Sequence, residues 1–307
     1  MLVYKLEDDQ LTAVSTPQSF SISDQIHLCL LDFDELSELS ASLGIGARIV
    51  DECINGISCK FESHEGFDFI TLTIPEAISE DVKPHRICIH FRSNLLVFIS
   101  DRVSYFSNMI NSAPTTGIHI SGLSKFFHLF FDKLTYDDRN VLVSIEEEIA
   151  NLEEEFIVSI KNDLVDYLIT FRKRLLSLKQ YYEQLFEISE AIEENDNDLI
   201  DKKDLRYFKI LTNRINRLFT NVLNLRDYGT QVREAYQAQL DINLNKVMKI
   251  FTVVTSIFLP LTLIVGWYGM NIMMPEFHWE YGYPFVIVLC LVVVMGTLLY
   301  FKKNKWF

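Results

Sequence analysis

Residues set three and four apart near the C-terminal end place a narrow polar line along one side of a helix. Counting back from Gly269, that line holds Gly266, Thr262, Leu259, Thr255, Thr252, Met248 and Asn245, a 3.5-residue repeat. Its hydroxyls sit in a stretch free of charge, and Asn271 follows in the polar break Tyr268-Gly269-Met270-Asn271. Continued further back, the same steps reach Asp241, Ala238, Glu234, Gln231, Asp227 and Asn224, so a hydroxyl line runs into a carboxylate line. Hydroxyl and amide oxygens accept hydrogen bonds from water, and carboxylates attract cations. This is the chemistry of a wet path for cations. The structural alternative is that each threonine bonds its own backbone or a neighbouring helix. The opposite side, Val253, Val254, Ile257, Leu261, Ile264 and Val265, is apolar and suits lipid or a second helix. One stripe cannot enclose water, so a path lined this way needs several chains around an axis, a cyclic homo-oligomer. Met248 and Leu259 then form apolar rings of the kind that gate by dewetting, and Pro260 removes a hydrogen bond to the carbonyl of Ser256.

Two uncharged apolar runs must position these groups, Ile250 to Trp267 and Pro284 to Phe301. Each is about long enough to cross a hydrocarbon core of roughly 30 Å, and together they make a hairpin. The loop between them carries Asn271, Glu276, His278 and Glu280 but no Lys or Arg, whereas Lys246 and Lys249 precede the first run and Lys302, Lys303 and Lys305 follow the second. By the positive-inside rule both chain ends lie in the cytoplasm and the loop lies outside.

The chain has 307 residues, so roughly 240 remain for a cytoplasmic part with a real core. Its formal net charge of -14, with 42 acidic against 28 basic residues, argues against a nucleic-acid partner, which needs a basic face, and favours cations. The cysteines, Cys29, Cys53, Cys59, Cys88 and Cys290, form no CxxC pair and read as reduced structural thiols. Glu7, Asp8 and Asp9 come too early for a signal peptide, so the N-terminus is expected to stay inside. An enzyme is not indicated. The chain carries no GxGxxG before a helix, no P-loop and no HExxH, and its histidines lack metal-ligand spacing. His85 and His90, five apart on a predicted strand, read as structural.

Residues 1–115 read as an α/β domain, with strand-like runs at Val3 to Leu6, Ile57 to Phe61, Phe67 to Ile74, Ile87 to Phe91 and Leu95 to Ile99, and one helix from Asp34 to Leu43. Residues 118–203 read as a helical hairpin packed through Leu168, Leu175, Leu178, Tyr182 and Leu185, with Glu193 to Asp198 as its far turn. A stalk helix, 204–249, continues into the first span, 250–268, and only Gly229 weakens it, by about 1 kcal/mol relative to alanine. An outer loop, 269–283, a second span, 284–301, and a basic tail, 302–307, complete the order.

The stretches Asn245-Lys246-Val247-Met248-Lys249, Ile257 to Thr262, Gly266-Trp267-Tyr268-Gly269-Met270-Asn271 and Met274-Pro275-Glu276 closely resemble the CorA-type magnesium channels in order and spacing. The resemblance implies a funnel-shaped homopentamer with a cytoplasmic α/β domain, a long-helix stalk and a two-helix membrane hairpin in the plasma membrane. The first membrane helix would line the pore, with rings at Met248, Leu259, Thr262 and Asn271. It also implies a selectivity filter of Gly269, Met270 and Asn271, in which the Asn271 amide meets a hydrated ion. Mg²⁺ surrenders its waters reluctantly, so a ring of neutral acceptors can select the ion with its shell intact. Glu276 and Glu280 would raise the cation concentration at the outer mouth. Members of this family close when cytosolic Mg²⁺ binds acidic groups between subunits, which makes Asp227, Glu234 and Asp241 candidates for a regulatory metal site.

The leading expectation is therefore a channel for Mg²⁺, with Co²⁺ or Ni²⁺ as further ions, driven by the membrane potential and gated by cytosolic Mg²⁺. No cofactor beyond the ion is implied, and the expected partners are further copies of the chain, membrane lipid and divalent cations. A Zn²⁺ transporter of the same architecture is the first alternative, and Met270 speaks against it. A membrane-tethered sensor or scaffold is the second, but an anchor needs neither a threonine stripe nor an amide cap.

Overall fold

Strands that are apolar along their whole length must be covered on both faces, and two of the central strands are of this kind. A computed structural model describes residues 1–7, 10–14, 25–56, 58–75, 84–104, 106, 122–158, 164–271, 279–304 and 306. Strands β1 (Leu2–Glu7), β2 (Gln10–Ala13), β3 (His27–Leu31), β4 (Lys60–His64), β5 (Phe67–Ile74), β6 (His85–Phe91) and β7 (Leu95–Ser100) form one sheet in the order β2-β1-β3-β7-β6-β5-β4. Every residue of β3 and β7 is buried. These two strands pair in parallel, with Cys29 opposite Val97, and all other neighbours are antiparallel.

Each face of the sheet has its own cover. Helices α1 (Phe33–Leu39) and α2 (Ala47–Asn55) supply Leu36, Ile49 and Cys53 to a core with Cys29, Leu31, Phe69, Val97 and Ile99. The start of α1 is fixed by a capping box in which Glu35 N donates to Asp32 Oδ1 at 2.7 Å and Asp32 N donates to Glu35 Oε2 at 3.2 Å. On the other face, helix α3 (Leu123–Leu134) sets Phe126, Phe127 and Phe130 against Phe91 and Phe98, with Phe98–Phe130 and Phe91–Phe127 ring centroids 4.9 Å and 5.0 Å apart.

Helices α4 (Asp138–Val158), α5 (Leu164–Glu194) and α6 (Lys202–Tyr268) follow, so the stretch expected to be a two-helix hairpin holds three helices before the long one. On α5, Leu175, Leu178, Tyr182 and Leu185 are buried as expected and Leu168 is half-buried. Their counterparts on α6 are Phe208, Leu211, Ile215, Leu218, Val222, Leu225 and Val232, three and four residues apart, the spacing of a packed seam. Gly229 occupies one step of that seam, where the Phe171 ring lies 3.5 Å from the position a Cβ would take. The helix passes through it unbroken.

The acidic turn is more than a solvated loop. Asn195 takes a left-handed φ of 53° and closes on Ile200, its Nδ2 donating to Ile200 O at 2.9 Å and its Oδ1 accepting from Ile200 N at 3.0 Å. Asn197 Nδ2 reaches the β4–β5 hairpin, lying 2.8 Å from His64 O and 2.7 Å from Asp68 Oδ1. Burial pushes the Asp68 carboxyl above its ordinary range, and the bond from Asn197 opposes that shift. The region between β3 and β4 departs from expectation, because α1 stops at Leu39 and α2 is a separate helix. The reason is local: residues 40–44 form turns, and Gly44 there takes a φ of 62°.

By contact density the chain divides into Met1–Val232 and Arg233–Phe307. In the first unit, Asp138 at the start of α4 is buried beside Tyr182, and desolvation raises its pKa to about 7 from 3.8. Because the folded value lies above the unfolded one, the stabilisation is full below about pH 4 and is lost as pH rises through about 7. Asp138→Asn should remove that part of the slope, so its melting temperature should exceed the wild type's at pH 8 and converge with it near pH 4. Parallel melting curves of the two proteins across this range would refute the assignment.

Candidate functional site

A polar group in hydrocarbon must find its partner within the helix, and the hydroxyls on α6 find theirs in the helix backbone. Thr252 Oγ1 donates to Met248 O, Thr255 Oγ1 to Phe251 O and Thr262 Oγ1 to Phe258 O, each at 2.8 Å. Each threonine proton is therefore committed to a carbonyl one turn back. What remains on the outer side of each hydroxyl is lone pairs, so the exposed line formed by Thr252, Thr255 and Thr262 can accept hydrogen bonds and cannot donate them. The self-bonding weighed against a wetted face in the sequence is thus present, and it leaves an acceptor surface in place.

The second unit shows which side is free. Asn245, Met248, Thr252, Thr255, Leu259, Thr262 and Gly266 are all exposed, with Leu259 at 72%. On the other side of α6, Val253 is buried and Ile257, Leu261 and Ile264 are half-buried. Helix α7 (Gly282–Lys303) answers with half-buried Val286, Leu289, Cys290, Val293, Val294 and Thr297 and buried Phe301, again three, four or one residue apart. An apolar cavity of about 720 Å³ remains between the two helices, lined by Leu261, Val265 and Tyr268 of α6 and by Phe285, Val286, Cys290 and Val294 of α7. On the exposed side, Thr255, Leu259, Thr262, Gly266 and Met270 line a shallow hollow flanked by Phe258, Leu263 and Trp267.

Gly269 ends α6. Its N–H donates to Val265 O at 2.8 Å, and a Cβ at this position would lie 2.8 Å from that same oxygen, a clash that reserves the place for glycine. Met270 N donates to Trp267 O at 3.3 Å, which turns the chain so that Met270 and Asn271 leave the helix exposed. Glu280, just before α7, is also exposed, while Glu276 and His278 lie outside the described residues. The stripe and Asn271 are brought together by one helix and its terminal turn.

The carboxylates Asp227, Glu234 and Asp241 are exposed positions of α6. Asp227 pairs with its neighbour Arg226, Oδ1 to Nη2 at 3.1 Å. Among the described residues no group of three or more His, Cys, Asp or Glu side chains is placed to hold a metal ion. The structure thus brings these three carboxylates into no metal site within one chain.

An aromatic belt at the end of the hairpin escaped the sequence reading. Trp279 lies 5.7 Å from Phe285 and 6.4 Å from Tyr281, ring to ring. The signal was there in Trp279, Tyr281, Tyr283 and Phe285, an alternation suited to a membrane–water interface. At the opposite end of α7, Trp306 packs on Phe301 at 5.0 Å, next to Lys302 and Lys303.

Both α6 and α7 contain a segment long and apolar enough to cross a membrane. Fold and site together define a membrane protein with a mixed α/β domain, a long helix bearing a line of acceptor oxygens, and a second apolar helix packed behind it. The chain belongs to the CorA-like Mg²⁺ transporter protein family, whose model matches residues 26–303. It is 32% identical over 176 residues to the cobalt/magnesium transport protein CorA of Thermotoga maritima, which covers 57% of this chain and 50% of that one. The chain thus spans about half the length of that relative. With the cobalt/magnesium transport protein CorA of Methanocaldococcus jannaschii it shares 23% identity over 286 residues, 89% of this chain and 88% of the other. The complete structure of the CorA magnesium transporter from that organism has the same fold, with a TM-score of 0.84 at 20% identity over 100% of this chain and 98% of that one.

The two faces of α6 differ in a way that chemistry can read. In a background with Cys290 replaced by Ala, cysteines placed at Thr255 or Thr262 should react with a membrane-impermeant thiol reagent, whereas cysteines at Val253 or Leu261 should stay protected. Cysteines at Thr255 and Thr262 that stay as protected as those at Val253 and Leu261 would show that the acceptor line is not wetted.

Proposed function

We propose that the chain forms a homopentameric channel that carries Mg²⁺, and also Co²⁺, across the plasma membrane into the cytoplasm. The observation that carries this reading is the line of self-bonded threonines ending at Asn271. Water bound to a dication points its hydrogens outward, so a hydrated ion presents donors in every direction. A wall of acceptors is its complement, and the ion need not shed its shell. Family membership supports the same reading, as does the chain's similarity to cobalt/magnesium transport proteins.

Several copies are needed because one helix offers one strip of wall. Phe251, Phe258, Leu263 and Trp267 flank the strip and are bare in the single chain, which gives neighbouring copies apolar surface to bury. Gly269, Met270 and Asn271 form the filter, Asn245, Met248, Thr252, Thr255, Leu259 and Thr262 line the path, and Glu276 and Glu280 gather cations outside. Met248 and Leu259 are the constrictions. The lysines before the first span and after the second support a topology with both termini in the cytoplasm, and the membrane potential would contribute about 4.6 kcal/mol per 100 mV to the inward movement of two charges.

Asn271→Ala should abolish Mg²⁺ uptake into liposomes loaded with an ion-sensitive dye while leaving assembly intact by size-exclusion chromatography. Normal uptake by an assembled variant would remove Asn271 from the filter.

Closure by cytosolic Mg²⁺ is assigned to Asp227, Glu234 and Asp241 with a neighbouring copy, because bound dications would neutralise the repulsion among several acidic stalks. The triple variant Asp227→Asn, Glu234→Gln, Asp241→Asn should lose both inhibition by internal Mg²⁺ and protection from protease by Mg²⁺. If inhibition persists unchanged, these carboxylates are not the sensor and the filter assignment still stands.

A further inference from the structure

In a chain of net charge -14, one polar hollow of about 500 Å³ in the first unit carries only positive charge on its lining, from Arg139, Arg214 and Arg217. It lies where the connection between α3 and α4 meets α6. Arg214, Arg217 and Asn221 follow one another at intervals of three and four residues and so share a face of α6. Arg139 comes from the first turn of α4, and Tyr136 of the connection is 70% exposed.

Arg214 is held in place. Its Nη1 donates to Asp132 Oδ1 at 2.7 Å, which leaves the Nε and Nη2 donors unengaged by that carboxylate. Arg139 and Arg217 make no ion pair among the described residues. Asp132 offsets one of the three charges, so the hollow is lined by two further arginines with no acidic residue in its lining. Convergent guanidinium forks match phosphate oxygens two at a time, Asn216 and Asn221 add amide donors, and the bare Tyr136 ring offers a face on which a planar base can stack. The volume falls within the usual range of small-molecule sites.

We propose that this hollow binds a nucleoside polyphosphate, with the phosphates on Arg139, Arg214 and Arg217 and the base on Tyr136. The ligand would thereby bridge α4 and the helix that carries the acceptor line. The site owes nothing to the ion path, and its test reads no ion flux.

The full chain in nanodiscs is titrated with radiolabelled ATP in chelator, with inorganic triphosphate and adenosine as separate probes. ATP should saturate at one per chain, triphosphate should compete, and adenosine alone should not. The Arg139→Gln, Arg217→Gln double variant should bind at least about tenfold more weakly, the loss of a bidentate contact. Tyr136→Ala should weaken ATP and leave triphosphate unchanged. Arg172→Gln, an exposed arginine on α5 remote from the hollow in sequence, should bind as wild type. Should the double variant fail to fold, Arg139→Lys, Arg217→Lys keeps the charge without the fork and should still lose affinity. The proposal is overturned if ATP does not saturate, if triphosphate binds and ATP does not, or if Arg172→Gln loses as much as the double variant. It is equally overturned if the double variant dissociates the assembly while the wild type binds neither probe, because the hollow then holds an acidic side chain of a second copy.

Discussion

The requirement that a helix in hydrocarbon satisfy its own polar groups governs the membrane part of this protein. A threonine in that setting has few choices for its proton, and Thr252, Thr255 and Thr262 each give it to a carbonyl of the preceding turn. This bond is often treated as the opposite of function, since it hides the hydroxyl from partners. Here it fixes which half of the hydroxyl faces outward. A serine or threonine free to rotate can donate or accept, and a wall built of such groups can pair with an anion's lone pairs as readily as with a hydrated cation's hydrogens. Fixing the proton removes that ambiguity, and in the proposed channel it would set the sign of what the wall prefers. Gly269 extends the same economy to the helix end, where the close approach of Val265 O leaves no space for a side chain and lets Asn271 turn out of the helix.

The first unit answers a different requirement, the covering of a sheet whose central strands are apolar on both faces. The α1–α2 layer on one side and the phenylalanines of α3 on the other meet it, and Phe127 continues the second layer to Phe208 at the beginning of the α6 seam, 5.7 Å away. Asn197 then ties the far turn of α5 to the edge hairpin β4–β5. A single amide thus connects the sheet's outer strands to the helical layer, at a place where polar groups would otherwise be buried unpaired. Asp138 is the contrary case: it is buried beside the Tyr182 hydroxyl, and burial raises its pKa against the opposing effect of Tyr182.

Much of the membrane part was legible because its signals are local and periodic. The two apolar runs, the 3.5-residue stripe and the glycine stop follow from spacing alone, since a helix converts spacing into a face with no help from the rest of the chain; along the stalk the expected apolar side Leu225, Val232, Tyr236, Leu240 and Leu244 is buried at its first three positions, half-buried at Leu240 and exposed at Leu244. The strands were partly legible. Phe67–Ile74 was read to the residue, while β4 came out shifted toward its N-terminal side and β2 and β3 were not recognised. A short unbroken run such as His27–Leu31 carries no alternation, and without alternation a buried strand and a buried helical turn look alike. Helix α2 was missed for a related reason, as only Ile49 and Cys53 mark its inner side.

By itself the sequence determined the two apolar segments, the line of small polar residues along the first of them and the lysines that flank their ends, because these depend on composition and on the fixed pitch of a helix. The tertiary structure decided which face of α6 is covered by α7, where each threonine proton goes, that the acidic turn is clamped to the sheet through Asn197, and that Arg139 lines the same hollow as Arg214 and Arg217. Those outcomes depend on distances between residues far apart in the chain or on the rotamer a side chain takes. Neither is encoded in spacing, since the same intervals of three and four would describe the stripe equally well with its hydroxyls turned to water or to their own backbone.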